Sequence, residues 1–147
     1  MEQNSRKYIE QIVDRIEDSL RDPASLDDIA ASLYLSTYHL VLLFKAVTGQ
    51  SVMSYVRNRR LSVSLSDLLQ PDLRIIDIAQ NYYFSYEQSY SRAFRRLFGI
   101  SPGEYRKEPR DLSVLPKFDV GSLLFLPQGI LLVPRYCRLP AFRVVGL

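Results

Sequence analysis

SVMSYVRNRRLSVSLSDLLQ, residues 51–70, reads as one long helix. Ser51 stands where an N-cap belongs, its side-chain oxygen accepting from backbone N–H groups that a helix start leaves unpaired. Pro71 forbids continuation and biases Gln70 away from helical geometry. At 1.5 Å per residue, about 20 residues span roughly 30 Å. Nearly the same residue pattern stands on both sides of this stretch. It therefore reads as a spacer that holds two copies of one unit at a fixed separation.

Upstream, Ile9, Ile12, Val13, Ile16 and Leu20 recur at three- and four-residue spacings, which predicts an amphipathic helix over residues 6–21, ended by Asp22-Pro23. Ser25 precedes Asp28 by three, a variant of the capping box, and opens a short helix to about Leu33. After a turn at Tyr34-Leu35, Ser36 caps a third helix that runs to about Thr48 and is closed by Gly49. Helix, short turn, helix is the helix-turn-helix outline. Downstream the pattern returns. Asp28-Ile29-Ala30 recurs as Asp77-Ile78-Ala79 and Ser36 as Ser85, an offset of 49; Phe44, Gly49, Ser51 and Tyr55 recur as Phe94, Gly99, Ser101 and Tyr105, an offset of 50. One inserted residue accounts for the change, and the same supersecondary unit is used twice. A short last helix runs from Pro102 to Lys107.

Bulk properties bound the function. The 147 residues are 47% hydrophobic and 24% charged, the composition of a soluble globular chain of one or two small domains. No run of about 20 apolar residues spans a membrane, and MEQNSRKYIEQ is no signal peptide, so the expected compartment is the cytoplasm. A single Cys137 excludes an internal disulfide, and with only His39 beside it no usual zinc site can form; neither a metal nor a cofactor is expected. The net charge is +3, but Arg57, Arg59, Arg60, Arg92, Arg95, Arg96, Arg106, Lys107 and Arg110 fall in one half of the chain, while Glu10, Asp14, Glu17 and Asp18 mark the first helix. A basic half suits an anionic partner; an ordinary solvated face is the competing reading.

SLDDIAASLYLSTYHLVLLFKAVTG, and beyond the linker DIAQNYYFSYEQSYSRAFRRLFGISPGEYRK, resemble the paired helix-turn-helix domain of AraC-type transcription regulators over about residues 6–107. The most specific piece is SRAFRR-x-FG-x-SP-x-EY-R. The resemblance implies an all-α fold of seven helices, with the third and sixth in successive major grooves of double-stranded DNA, about 34 Å apart. It also implies RNA polymerase as a candidate partner. One departure is structural: the turn position, commonly glycine in this family because its backbone tends to be left-handed, is Tyr34 in one unit and Tyr83 in the other. A non-glycine residue there costs of order 1 kcal/mol. Another is Arg74, which stands where the first unit has its capping Ser25 and leaves the helix near Ile75 with less help at its start.

The two reading helices are unequal. Over residues 86–97, Tyr86, Tyr90, Ala93, Phe94 and Leu97 share the expected core face, and Gln88, Ser91, Arg92, Arg95 and Arg96 the outer one. Gln pairs with adenine edges and Arg with guanine, so Arg92, Gln88 and Ser91 are base-reading candidates, with Arg95 and Arg96 on phosphates. Glu87 either accepts from cytosine or favours the helix dipole. Over residues 37–48, Leu40, Leu43, Phe44 and Val47 form the core face; Tyr38, Val41, Leu42 and Lys45 face outward, with Leu42 where the second unit has Arg92. Three readings stay open: docking through Lys45, backbone N–H groups at the helix start and thymine-methyl contact by Val41 or Leu42; a spacer role; or an apolar strip that meets another protein or another part of this chain. Tyr38 and Leu42 are counted with the base-reading candidates, and Lys45, His39 and Thr37 with the phosphate candidates.

Residues 1–110 form the paired unit. From 111 to 147 the chain is apolar and broken by Pro116, Pro127, Pro134 and Pro140 into short extended pieces such as 122–126 and 130–133. In AraC-type relatives with a gyrase-inhibitor-like effector domain, a linker and first strand resemble this stretch, with LPAFRVVGL as the strand's opening. The expectation is a DNA-binding domain cut just past its linker, its small-molecule effector sensed by a missing C-terminal domain. The apolar tail should pack back on the helices or pair with a second copy in a dimer. The function expected is a sequence-specific DNA-binding transcription regulator. The alternative is a helical protein-interaction module using the Val41–Leu42 face. An enzyme is not expected, since Cys137 lacks a neighbouring base or metal-ligand set.

Overall fold

The structure, a computed structural model, describes residues 2–23, 25–126 and 129–132. Seven helices follow in order: α1 (Glu2–Asp18), α2 (Leu26–Ser32), α3 (Thr37–Thr48), α4 (Val52–Leu68), α5 (Ile75–Asn81), α6 (Glu87–Phe98) and α7 (Pro102–Lys107). A 3-10 turn at Val120–Ser122 leads into an antiparallel hairpin, β1 (Leu123–Leu126) and β2 (Gly129–Leu132), with Leu123 opposite Leu132. The all-helical domain is as expected, and the two strands lie within a residue of the expected extended pieces; Val133, Cys137 and LPAFRVVGL are outside the described residues.

Local chemistry starts and stops each helix. Ser25 and Asp28 form a reciprocal capping box on α2, and Ser101 and Glu104 form a second on α7, with Pro102 at its first position. Ser36 and Ser51 accept from the N–H groups of His39 and Ser54. Gly49 and Gly99 end α3 and α6 in the left-handed region, φ 76° and 78°. Arg74 gives α5 no side-chain cap; instead its guanidinium grips Asp77, one turn in, at 2.8 and 2.9 Å. Two boundaries differ from expectation. The first helix runs from Glu2 and stops at Asp18, before a hydrogen-bonded turn through Leu20. The linker helix is 17 residues, about 25 Å, because Leu69 and Gln70 already belong to the turn.

The interior is divided. Ile12, Ile16, Leu40, Phe44 and Tyr55 centre one core, built from α1 to α3 and the first turns of α4. Leu61, Leu68, Ile78, Tyr90 and Phe94 centre the other, built from the rest of α4 with α5 to α7. The two share no buried residue, and α4 passes from one to the other through Arg57-Asn58-Arg59-Arg60. The repeat persists in the packing: Phe44 lies 5.2 Å from Tyr55, and their counterparts Phe94 and Tyr105 lie 6.3 Å apart.

The chain after Arg110 stays on the helical body. The Leu115 N–H donates to Ser62 Oγ at 3.1 Å, the Phe118 N–H to the Tyr55 hydroxyl at 3.0 Å, and Val120 and Leu123 are buried in the first core. Lys117 pairs with Asp14 on α1. Beneath this strap, Arg59 holds Glu17 with two hydrogen bonds of 2.7 Å and donates a third to the Leu115 carbonyl. Burial pushes the Glu17 carboxyl up, but the hydrogen bonds from Arg59 and Tyr55 and the Arg59 charge outweigh it and hold the carboxyl below its ordinary value.

Candidate nucleic-acid interface

The rotation of α6 about its own axis is fixed by two buried rings. Tyr90 and Phe94 are wholly inaccessible, Phe84 meets Tyr90 edge-on at 5.3 Å, and the Tyr90 hydroxyl is 2.8 Å from Ser64 Oγ on α4. With that face pinned, Gln88, Ser91, Arg92 and Arg95 follow at i, i+3, i+4 and i+7 along the opposite side. Together with Ser101 they line an open concavity of about 290 Å³. Arg96 is exposed beside them, and Glu87 is exposed in the first turn.

The same stripe exists on α3. Leu40, Phe44 and Val47 are buried, and Tyr38, Val41, Leu42 and Lys45 repeat the i, i+3, i+4, i+7 spacing fifty residues upstream. Tyr38 is 75% and Leu42 51% exposed, so apolar surface stands where α6 has its polar row. α2 and α3 meet at 88°, which swings this face clear of the core. His39 is exposed, with its N–H held by Ser36. The Thr37 hydroxyl donates to the Asp27 carboxylate, so it is already engaged beside a negative charge. That counts against a phosphate contact by Thr37.

Two expectations for the second unit are corrected. Tyr86 is 69% exposed and not part of the core face; it is the N-cap residue, with extended backbone and no capping side-chain bond. Ser85 therefore does not repeat the capping role of Ser36. The inserted residue falls between Phe84 and Tyr86, in the turn, so the offset becomes 50 at the cap and α6 begins one residue later than the Ser85 match suggests.

The basic half of the chain also divides. Arg59 is bound to Glu17 and Leu115, and Arg60 donates to the Leu20 carbonyl at 3.0 Å. Arg106 donates to the Leu68 and Leu73 carbonyls at 2.9 and 2.6 Å, closing the C-terminus of α4. Arg110 reaches Glu108 at 3.4 Å. Counted as charge alone, these pool with Arg92, Arg95 and Arg96. The partners of Arg59, Arg60 and Arg106 lie 33 to 56 residues away, most of them backbone carbonyls, and leave no sequence signal. The arginines of α6 make no ion pair or side-chain hydrogen bond among the described residues. Arg95 only feels the field of Glu104. No group of three or more metal-ligating side chains occurs among the described residues, and no single helix there is long and apolar enough to cross a membrane.

The helix-turn-helix domain family matches residues 29–108. The right origin-binding protein of Escherichia coli K12 is 42% identical over 94 residues, which are 64% of this chain and 32% of that one. The chain thus spans about a third of the length of that relative. The transcriptional activator AarP of Providencia stuartii is 37% identical over 98 residues, 67% of this chain and 73% of its own. Among solved structures, a transcriptional regulator from Chromobacterium violaceum, described as containing an AraC-type DNA-binding domain, superposes with a TM-score of 0.63. It is 29% identical and covers 73% of this chain and 98% of its own.

Proposed function

This chain belongs to the AraC-type helix-turn-helix family, and on that footing we propose that it is a transcription regulator that binds double-stranded DNA at specific sequences. The observation that carries the reading is the outer row of α6. Gln88, Ser91, Arg92 and Arg95 follow in register along the outer side, while Arg59, Arg60 and Arg106 are committed to the fold. Arg92 reads guanine in two-point fashion, Gln88 reads adenine, Ser91 assists, and Glu87 accepts from cytosine. Arg95 and Arg96 hold phosphates. On α3, Lys45 and His39 take phosphates, and Tyr38 and Leu42 offer apolar surface to thymine methyl groups.

RNA polymerase as a protein partner, a small-molecule effector bound outside residues 1–147, and a dimer formed through residues 111–147 belong to the same reading. A second reading is favoured by the exposure of Tyr38 and Leu42, whose apolar row suits a protein partner. Selection from a pool of random duplexes at two salt concentrations decides between them. Enrichment of a sequence motif, with affinity that falls as salt rises, supports the regulator. No enrichment at either salt rejects it.

A further inference from the structure

Two cores joined by one helix should hinge at the join when they share little packing, and here only the partly buried Val63 of α4 packs against both. Yet this waist is bridged by a polar network that reaches from one unit to the other. Arg60 on α4 donates to the Leu20 carbonyl on the first-unit side and lies over the Tyr83 ring, 5.1 Å from its centroid, on the second-unit side. The Tyr83 hydroxyl returns to the Arg21 carbonyl at 3.2 Å. The Arg21 guanidinium donates to the Tyr82 hydroxyl at 2.5 Å, and that hydroxyl donates to Asp67 of α4 at 2.9 Å. Two clefts of about 240 and 210 Å³ flank this network and share Met53, Val56, Arg60 and Tyr83 as walls, so the Arg60–Tyr83 pair is what stands between them.

We propose that Arg60 and Tyr83, with Arg21, form a latch that fixes the separation and relative rotation of α3 and α6, and so make this protein selective for the spacing of its two half-sites. Tyr83 has a φ of 62°, a conformation that favours glycine and that Tyr34 shares in the first unit without any bridge, so the side-chain contacts of Tyr83 and not its backbone carry the latch. Glycine at this position suits the backbone and lacks the bridge. The rigidity of the latch is independent of what the protein binds; the consequence for spacing rests on the DNA-binding reading. One inserted base pair moves a half-site by about 3.4 Å and rotates it by about 35°. A latched pair of helices cannot follow that displacement, whereas a hinged pair can.

The test uses the full 147-residue chain with two variants, Tyr83→Gly and Arg60→Leu. Tyr83→Gly suits the left-handed turn, and Arg60→Leu keeps apolar cover over the waist, so both fold. Spin labels are attached to the exposed positions Gln11→Cys and Gln80→Cys in a Cys137→Ser background. Pulsed dipolar spectroscopy should give one narrow distance in the parent and a broadened distribution in each variant. Duplexes selected by the parent from the random pool should lose at least about tenfold in affinity on insertion of one base pair between half-sites, and the variants should lose less than about threefold. Unchanged distance distributions overturn the latch. Broadened distributions with the parent's spacing preference intact overturn its role in specificity. If the parent selects no motif, the DNA reading fails, and the distance measurement still decides the latch.

Discussion

Tyr34 and Tyr83 hold the same left-handed backbone, φ 56° and 62°, in equivalent turns of the two units, but Tyr34 is 99% exposed while Tyr83 bridges Arg60 and Arg21. The strain at Tyr83 is offset by contacts, and Tyr34 has almost no contact to offset it. Relief of left-handed strain is worth about 1–2 kcal/mol, and the extra freedom of an unfolded glycine takes back about 0.4–1 kcal/mol. Tyr34→Gly should therefore raise stability by about 0.5–1 kcal/mol. Tyr83→Gly should raise it less or lower it, because a cation–π contact and a hydrogen bond go with the side chain. Urea unfolding of the two variants checks this, and equal shifts would sink the distinction.

Arg59 and Glu17 should dominate the stability of the first unit. Their side chains are only 13% and 14% exposed, and the pair also receives the Tyr55 hydroxyl and anchors the Leu115 carbonyl. Arg59→Ala strands a carboxylate that is largely out of water, and breaking such a pair costs about 3–5 kcal/mol where burial is complete. The same change frees the strap at residues 115–118. Hydrogen exchange at the Leu115 and Phe118 amides should rise more than exchange in α5, which packs in the other core. Uniform acceleration in both units would show that the pair does not act locally.

Acid should weaken this unit through Glu17. Its carboxyl is held below the ordinary value of 4.5, so near that pH the unfolded chain binds more protons than the folded one and stability rises with pH. The contribution is fully present above about pH 4.5 and is lost as pH falls through the lowered folded value. Between pH 6 and pH 3 the parent should lose more stability than Glu17→Gln, measured as urea midpoints across the series. Parallel profiles would contradict a depressed Glu17.

The sequence made the local devices legible and the distant ones invisible. Ser25 with Asp28, Ser36, Ser51, Gly49 and Gly99 act within a few residues of themselves, so their spacing alone places the helix ends. Core and outer faces of α3 followed from periodicity for the same reason. Tyr86 leaves the core face because an insertion in a turn shifts a helix start without changing any motif. In the sequence Arg59, Arg60 and Arg106 read as charge for a partner, because their acceptors are carbonyls and a carboxylate brought in by folding. The outer row on α6 is legible since it needs only one helix and one pinned face.

Arg92 and Arg96 should fail in different ways when removed. Both are exposed on α6, but Arg92 sits in the middle of the concave row and Arg96 beside it. Arg92→Ala should cost about 1–3 kcal/mol and relax specificity at one base pair. Arg96→Ala should weaken binding evenly across sequences and reduce the salt slope by about 1. Titrations of the selected duplex and of single-base variants at several salt concentrations separate the two. The roles are reversed if Arg96→Ala relaxes a base preference and Arg92→Ala changes only the slope.

Leu42 occupies on α3 the position that Arg92 occupies on α6, and it has nothing with which to hydrogen-bond a base edge. If α3 enters the groove, the contact of Leu42 must be with the thymine methyl group, the one apolar feature of the major groove. That contact can be removed from the DNA without touching the protein, by replacing thymine with uracil in the half-site that does not depend on Arg92. Burying one methyl group is worth about 0.8 kcal/mol, so each contacted thymine should lower affinity nearly fourfold when demethylated. Leu42→Ala should itself cost less than Arg92→Ala and should abolish the uracil effect, since the two changes remove the same contact. A uracil effect that survives Leu42→Ala assigns the methyl group to Tyr38 or Val41. No effect at any thymine removes methyl contact as the role of Leu42 and favours its apolar row as a surface for protein.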